Sequence, residues 1–344
     1  MSKRILIVEV NWIGDVLFST PFIRAVREAN PDSYIACLAH PRCAEILEGN
    51  PRLSEIITYD EEGAHRSLIG KLKLVAGLRS KRFDTAFVLH RSFTKALLVM
   101  LAGIPERIGY ATKNRSRILT KPIDEPAEDI HKVEYFLNIA RSSGISPKSV
   151  SYEFFVTGAD RAYAAALLKT GLVEAGDKVV VMCPGGNWDP KRWPKENYAA
   201  LADKLIERYG VKVVMAGAKK DVKLAEDIKQ AMKNSPIIAC GRTTLKQLGA
   251  LFELSDLVVA NDTGPMHLAV AMKADTIALF GPTSPELTGP YGEANYRVIS
   301  KNKTCDVPCY DVTCAASRCM EAIAVDDVVK EAEIFLTRSS KIKL

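Results

Sequence analysis

Short apolar runs recur along the chain: Ile5–Val8, Tyr34–Leu38, Thr85–Leu89, Val179–Met182, Val211–Met215, Ile237–Ala239, Leu257–Ala260 and Thr276–Phe280. Each is apolar throughout rather than alternating, which predicts strands buried on both faces. Between them, apolar residues return every three or four positions and predict helices over Thr20–Ala29, Asp160–Lys169, Asn197–Tyr209, Val222–Lys233 and Thr244–Leu254. Thr244 followed by Gln247 reads as a capping box. Alternation of buried strands with helices argues for an α/β protein with parallel sheets covered on both faces. The order restarts near residue 178, after the connector Gly171-Leu-Val-Glu-Ala-Gly-Asp177. Two doubly wound, Rossmann-like domains are therefore expected, 1–170 and 178–344. A cleft between two such domains is the default ligand site.

Length agrees with that division, since 344 residues are enough for two full cores. No apolar run reaches the roughly 20 residues needed to span a bilayer. Met1-Ser-Lys-Arg-Ile-Leu-Ile-Val8 enters a strand directly, without the apolar core of a signal peptide, so a cytoplasmic protein is expected. The net charge of +6 is unevenly placed: residues 63–121 hold thirteen Lys and Arg against Asp84 and Glu106 alone. That local excess points to an anionic partner such as phosphorylated lipid, anionic glycan or nucleic acid. Within it, Leu68, Leu72, Val75 and Leu78 are spaced as one helical stripe with bases between them. Such a helix either covers a sheet or lies against an anionic membrane surface.

The chemistry clusters just after the apolar runs, where ligands of open α/β sheets bind. Asn261-Asp-Thr-Gly-Pro-Met-His-Leu-Ala-Val-Ala-Met272 follows one strand. Gly264 allows close backbone approach and Pro265 suits a first helical turn, so this helix start suits an anion such as a diphosphate. Asp262 and Thr263 stand at that turn; His267, one turn in, reads by itself as a packed core histidine. Cys183-Pro-Gly-Gly-Asn-Trp-Asp-Pro-Lys-Arg-Trp-Pro194 follows another strand, with Lys191 as a compact positive charge for phosphate. Asp221, after a third strand, would accept from ribose hydroxyls or cap the next helix. Asp15, in Glu9-Val-Asn-Trp-Ile-Gly-Asp-Val-Leu17, is either a general base or a plain N-cap.

Neither G-x-G-x-x-G nor G-x-x-x-x-G-K-[ST] occurs, which argues against a dinucleotide-dependent dehydrogenase or a P-loop enzyme. No His-carboxylate metal pattern appears, and no catalytic metal is expected. Cys305, Cys309, Cys314 and Cys319 lie close together without the usual C-x2-C knuckle; a metal site and idle thiols both remain open.

Asn11-Trp-Ile-Gly-Asp-Val-Leu17 with Thr20-Pro21, Lys191-Arg-Trp-Pro-Lys-Glu-Asn-Tyr198 and Asn261-Asp-Thr-Gly-Pro-Met-His267, in this order, resemble the glycosyltransferase family 9 heptosyltransferases. The terminal pattern Cys-x3-Cys-Tyr-x3-Cys-x4-Cys-Met resembles that family's heptosyltransferase II branch. The resemblance implies a GT-B fold and an inverting transfer of L-glycero-D-manno-heptose from ADP-heptose to the lipopolysaccharide inner core, Kdo or heptose on lipid A. It implies no cofactor, and peripheral contact with the cytoplasmic face of the inner membrane. It makes Asp15 the base. Lys191, Asp221, Asp262 and Thr263 fall on donor positions, joined at the same loops by Asn187, Gly264 and His267. Asn187 departs from the hydroxyl residue common near the phosphates. From the basic first domain, Arg91, Lys95, Arg115 and Arg117 are the expected acceptor contacts. Two rival classes are an enzyme using another nucleotide sugar, transferase or epimerase, and a non-enzymatic binder of nucleic acid. The second lacks aromatic interleaving and any nucleic-acid motif, so no nucleic-acid partner is expected.

Overall fold

The computed structural model describes residues 2–301, 305–309, 311, 313–314 and 318–338. The chain forms two compact units, Met1–Phe155 and Val156–Leu344. The division falls before the helix Gly158–Thr170, which sequence had placed at the end of the first domain. That helix belongs to the second unit because it packs on the helix Leu245–Leu254, where Arg161 also pairs with Glu253.

The first unit carries β1 (Arg4–Val8), β2 (Tyr34–Ala39), β3 (Glu55–Thr58), β4 (Thr85–Val88), β5 (Glu106–Tyr110) and β6 (Lys121–Ile123). Its helices are α1 (Ile13–Ala29), α2 (Pro41–Leu47), α3 (Leu68–Ser80), α4 (Phe93–Leu101) and α5 (Lys132–Ser142). The sheet is wholly parallel in the order β3-β2-β1-β4-β5-β6. β1, β2 and β4 are its most buried strands, and between β1 and β4 the chain switches from winding one way to winding the other.

The second unit repeats the plan. Its strands are β7 (Val179–Cys183), β8 (Lys212–Met215), β9 (Ile237–Ile238), β10 (Leu257–Asn261), β11 (Thr276–Phe280) and β12 (Tyr296–Ser300). Its helices include α6 (Gly158–Thr170), α7 (Lys195–Tyr209), α8 (Val222–Ala231), α9 (Leu245–Leu254) and α10 (Gly264–Ala271). The parallel order is β12-β11-β10-β7-β8-β9, with β7, β10 and β11 fully buried. The core joins β7 and β10 to α7 and to the helix Val325–Leu336 through Met182, Trp193, Leu201, Leu205, Val259 and Val328. The Thr244–Gln247 capping box is formed in both directions at α9.

All eight expected strands are present within a residue or two, and β3, β5, β6 and β12 are additional. Three of the four lie at sheet edges and are half exposed, so their residues are mixed rather than continuously apolar. α1 starts seven residues before the expected Thr20. Pro21 inside it cannot donate to the Leu17 carbonyl, and the Thr20 hydroxyl supplies that bond at 2.8 Å. α3 departs further from expectation. It buries Leu74, Val75 and Leu78, whereas Leu68 and Leu72 of the expected stripe face solvent. No described helix is long and apolar enough to cross a membrane.

Candidate active site

In the second unit the switch point lies between β7 and β10, so the two loops leaving these strands are adjacent. Asn261, buried at the end of β10, ties them together. Its amide donates to the carbonyls of Pro184 and Gly185 at 3.0 and 3.2 Å, and its oxygen accepts from the Trp193 amide and the Tyr198 hydroxyl at 3.2 and 3.0 Å. Pro190 and Lys191 sit in a short 3-10 turn, Asp189–Lys191, which aims Lys191 at the next loop. Lys191 Nζ lies 2.7 Å from Asp262 Oδ2, and the Thr283 hydroxyl donates to the same oxygen at 2.6 Å. His267 Nε2 is 3.8 Å from Asp262 Oδ1. Asp262 and His267 are buried while Lys191 is partly exposed, so the ammonium is held at the mouth of the loop pair by a carboxylate beneath it.

Thr263 begins α10 with extended backbone, and its hydroxyl donates to the Asn261 carbonyl rather than capping the helix. Pro265 brings no N–H, and the Met266 amide bonds the Thr263 carbonyl at 3.1 Å. The amides left for an anion at this helix start are thereby narrowed to those of Thr263 and Gly264. Gly186 passes so close that a Cβ there would meet Thr263 Cγ2 at 3.3 Å. Asp221 uses one carboxylate oxygen to accept from the Ala218 amide at 2.9 Å, closing its own turn instead of capping α8. It packs against Gly185, where a Cβ would stand 2.5 Å from its carboxyl carbon. Gly185→Ala should therefore lower stability by about 1–3 kcal/mol, read from thermal unfolding; an unchanged midpoint would mean the turn yields freely. Asn187 is exposed and accepts from Lys220 Nζ.

In the first unit the switch point lies between β1 and β4. Asp15 is the third residue of α1, and the N-cap is Trp12, whose side chain makes no cap bond. Asp15 is therefore not a plain N-cap; its carboxylate stands in the first turn, where the helix dipole favours negative charge. Glu9, fully buried at the end of β1, accepts from the Ser19 hydroxyl at 3.0 Å and the Val10 amide at 3.3 Å, while its Oε1 has no hydrogen-bond partner. Burial pushes this carboxyl up to about 7, against the opposing pull of Ser19, Val10 and Lys95, and Asp15 adds to the rise. Sequence had assigned Glu9 no role; the available signal was an acid ending an apolar strand.

Lys95 and Arg115 do not behave as the expected acceptor contacts. Lys95 is buried, with Nζ donating to Asn11 Oδ1 at 2.6 Å and the Glu9 carbonyl at 3.2 Å, and pairing with Glu61 at 3.3 Å. Arg115 is buried too, donating to the carbonyls of His90 and Tyr110. Both cations are engaged in holding the strand-end loops, because their hydrogen-bonding partners lie inside the unit. Arg91 and Arg117 are exposed, Arg91 pairing with Glu125 at 3.1 Å. Burial beside Lys95 pushes His90 down to about 4, and its Nδ1 accepts from the Ser92 amide at 3.0 Å. Thr283, Asn261 and Lys95 thus hold the loops in place, and none had been given that part from sequence.

Tyr310, Val312 and the spacer 315–317 of the cysteine pattern lie outside the described residues. Cys319 is buried against Gly281, and the Cys309 amide donates to the Pro282 carbonyl at 2.7 Å, so the pattern's second and fourth cysteines border the loop after β11. Among the described residues no group of three His, Cys, Asp or Glu is arranged to hold a metal ion.

Two Rossmann-type sheets of identical strand order, one with a carboxylate in the first turn of its first helix and the other with a cation–carboxylate pair at a helix start, are those of a GT-B glycosyltransferase. The profile of glycosyltransferase family 9 (heptosyltransferase) matches residues 71–319, and the chain belongs to that family. A lipopolysaccharide heptosyltransferase 2 of Escherichia coli (strain K12) is 30% identical over 301 residues, 83% of this chain and 85% of that protein. A family 9 glycosyl transferase structure from Veillonella parvula DSM 2008 superposes with TM-score 0.91 at 26% identity, over 98% of both chains. That of the E. coli ADP-heptose lps heptosyltransferase II gives TM-score 0.81 at 28% identity, over 97% of this chain and 98% of that one.

Proposed function

We propose that this glycosyltransferase moves L-glycero-D-manno-heptose from ADP-heptose to the lipopolysaccharide inner core at the cytoplasmic face of the inner membrane. The observation that carries the reading is Lys191 held at 2.7 Å by Asp262 beside the start of α10. An ammonium and a helix N-terminus converging on one point suit a diphosphate, and they stabilise it as it leaves. The names of the relatives supply the sugar and the acceptor class.

In this reading the diphosphate meets Lys191 and the Thr263 and Gly264 amides. Asp262, steadied by Thr283 and His267, orients both the ammonium and the heptose. Asp221 offers its second carboxylate oxygen to a ribose hydroxyl, and Asn187 borders the phosphates. Asp15 takes the proton from the attacking acceptor hydroxyl as the sugar passes through an oxocarbenium-like state with inversion. Arg91 and Arg117 meet the acceptor's anionic sugars.

The test is mass spectrometry of lipid A–Kdo acceptors, with and without one heptose, after incubation with ADP-heptose. One acceptor should gain a single heptose with release of ADP. Release of ADP without a heavier acceptor, or no change in either acceptor, would remove the reading. Lys191→Ala should raise the donor KM about 10- to 100-fold, the loss of one charge-assisted contact. Unchanged donor KM and kcat would take Lys191 out of the site.

A further inference from the structure

The first turn of α3 shows what packing does not explain. Leu68, Ile69 and Leu72 are 73%, 68% and 54% exposed, although α3 already has a buried face in Leu74, Val75 and Leu78. Three large aliphatic side chains in one turn form a patch rather than scattered exposure. Arg66, Lys71 and Lys73 surround them, and α3 contains no acidic residue.

The turn is held in place by an ordered loop. Asp60 accepts from the amides of Glu62, Gly63 and Ala64, and the Asp60 amide donates to His65 Nδ1 at 3.0 Å. Ser67 caps the helix by accepting from the Gly70 amide at 3.0 Å. Gly70 lets the loop fold back on the helix, since a Cβ there would meet the Ala64 carbonyl at 2.2 Å. The same loop is tied to the residues before Asp15: Glu61 Oε1 lies 3.3 Å from Lys95 Nζ and 3.5 Å from Asn11 Nδ2. The patch therefore sits on the strand-end edge that carries the expected base, with Trp12 and Phe93, also exposed, at the helix starts beside it.

We propose that the first turn of α3 seats the enzyme on an anionic phospholipid bilayer, with Leu68, Ile69 and Leu72 entering the headgroup region and Arg66, Lys71 and Lys73 meeting lipid phosphates. The surface role rests on the reading above that the acceptor is lipid-borne. Charge decides between a bilayer and a protein partner. Lysine is depleted from protein interfaces, whereas lysine and arginine around aliphatic side chains mark a helix lying at a membrane surface. One turn of apolar side chains inserts shallowly, so the attraction depends on the bases and on the anionic lipid.

Co-sedimentation with phosphatidylglycerol-containing and pure phosphatidylcholine vesicles tests it. The full chain should bind the anionic vesicles at least tenfold more tightly, and binding should weaken steeply with salt. The combined variant Leu68→Ser, Ile69→Ser, Leu72→Ser should lose at least tenfold in vesicle affinity, and Lys71→Gln with Lys73→Gln should lose several-fold. Both should keep wild-type transfer onto a deacylated, water-soluble acceptor while losing transfer onto acceptor embedded in vesicles. Wild-type vesicle binding by the triple-serine variant overturns the proposal. So does failure of the wild type to bind anionic vesicles, or a wild-type dimer in lipid-free buffer that the serine variant dissolves. If the wild type binds vesicles through this turn but transfers heptose to neither acceptor, the docking surface stands and the transferase reading falls.

Discussion

Asp15→Asn should lower heptose transfer by about 10²–10⁴-fold, the contribution of a positioned general base, while ADP affinity stays at the wild-type value. The two readouts separate because Asp15 lies in the first unit and the Lys191–Asp262 pair in the second. Asparagine keeps the shape of the side chain at the third position of α1. Loss of a negative charge from the first helical turn costs about 0.3–1 kcal/mol, too little to unfold the unit. Single-turnover kinetics with calorimetric titration of ADP makes the comparison. Transfer within about threefold of wild type would end the assignment of Asp15 as the base, whatever happens to binding.

Glu9→Gln should stabilise the protein at pH 8 by up to about 3 kcal/mol and change little at pH 4. Burial without a partner for Oε1 raises this carboxyl from 4.5 to about 7. Below pH 4.5 it is protonated in the folded and unfolded chain alike, and nothing is lost. As the pH rises towards 7 the unfolded chain ionises first, so stability falls. Above 7 the folded state carries a buried carboxylate and the loss levels off. Glutamine never ionises and still accepts from the Ser19 hydroxyl, so the variant escapes that loss. Urea unfolding across this pH range reads the difference. A less stable variant at pH 8 would show that Lys95 compensates the charge fully, and an advantage independent of pH would show that ionisation is not its source.

Glu9 also illustrates what could be read from the chain beforehand. An acid closing the run Ile5–Val8 is visible in the sequence, but its burial is not. Lys95 and Arg115 make the same point in the opposite sense. Both sit in a basic stretch that suggests an exposed cationic surface, and both are buried because Glu61, Asn11 and the carbonyls of His90 and Tyr110 surround them. In α3 the spacing favours a stripe through Leu68, Leu72, Val75 and Leu78, whereas the packed helix buries Leu74, Val75 and Leu78 and leaves Leu68 and Leu72 outside.

The alternation of buried strands and helices, the repeat of that plan in two halves, and the placing of Asp15, Lys191, Asp262 and Thr263 after strands are all legible in the chain's residues. Those features are local: a run of apolar residues, a proline or a capping pair carries its signal within a few positions. Which charges meet was settled by the packing of distant segments. Lys191, Asp262 and Thr283 come from three separate loops and converge only because β7, β10 and β11 lie side by side in the sheet. That packing also set where the first unit ends, which bases remain on the surface, and which face of α3 is left to solvent. Each of these depends on desolvation and on partners distant along the chain, and spacing within a single segment carries no record of them.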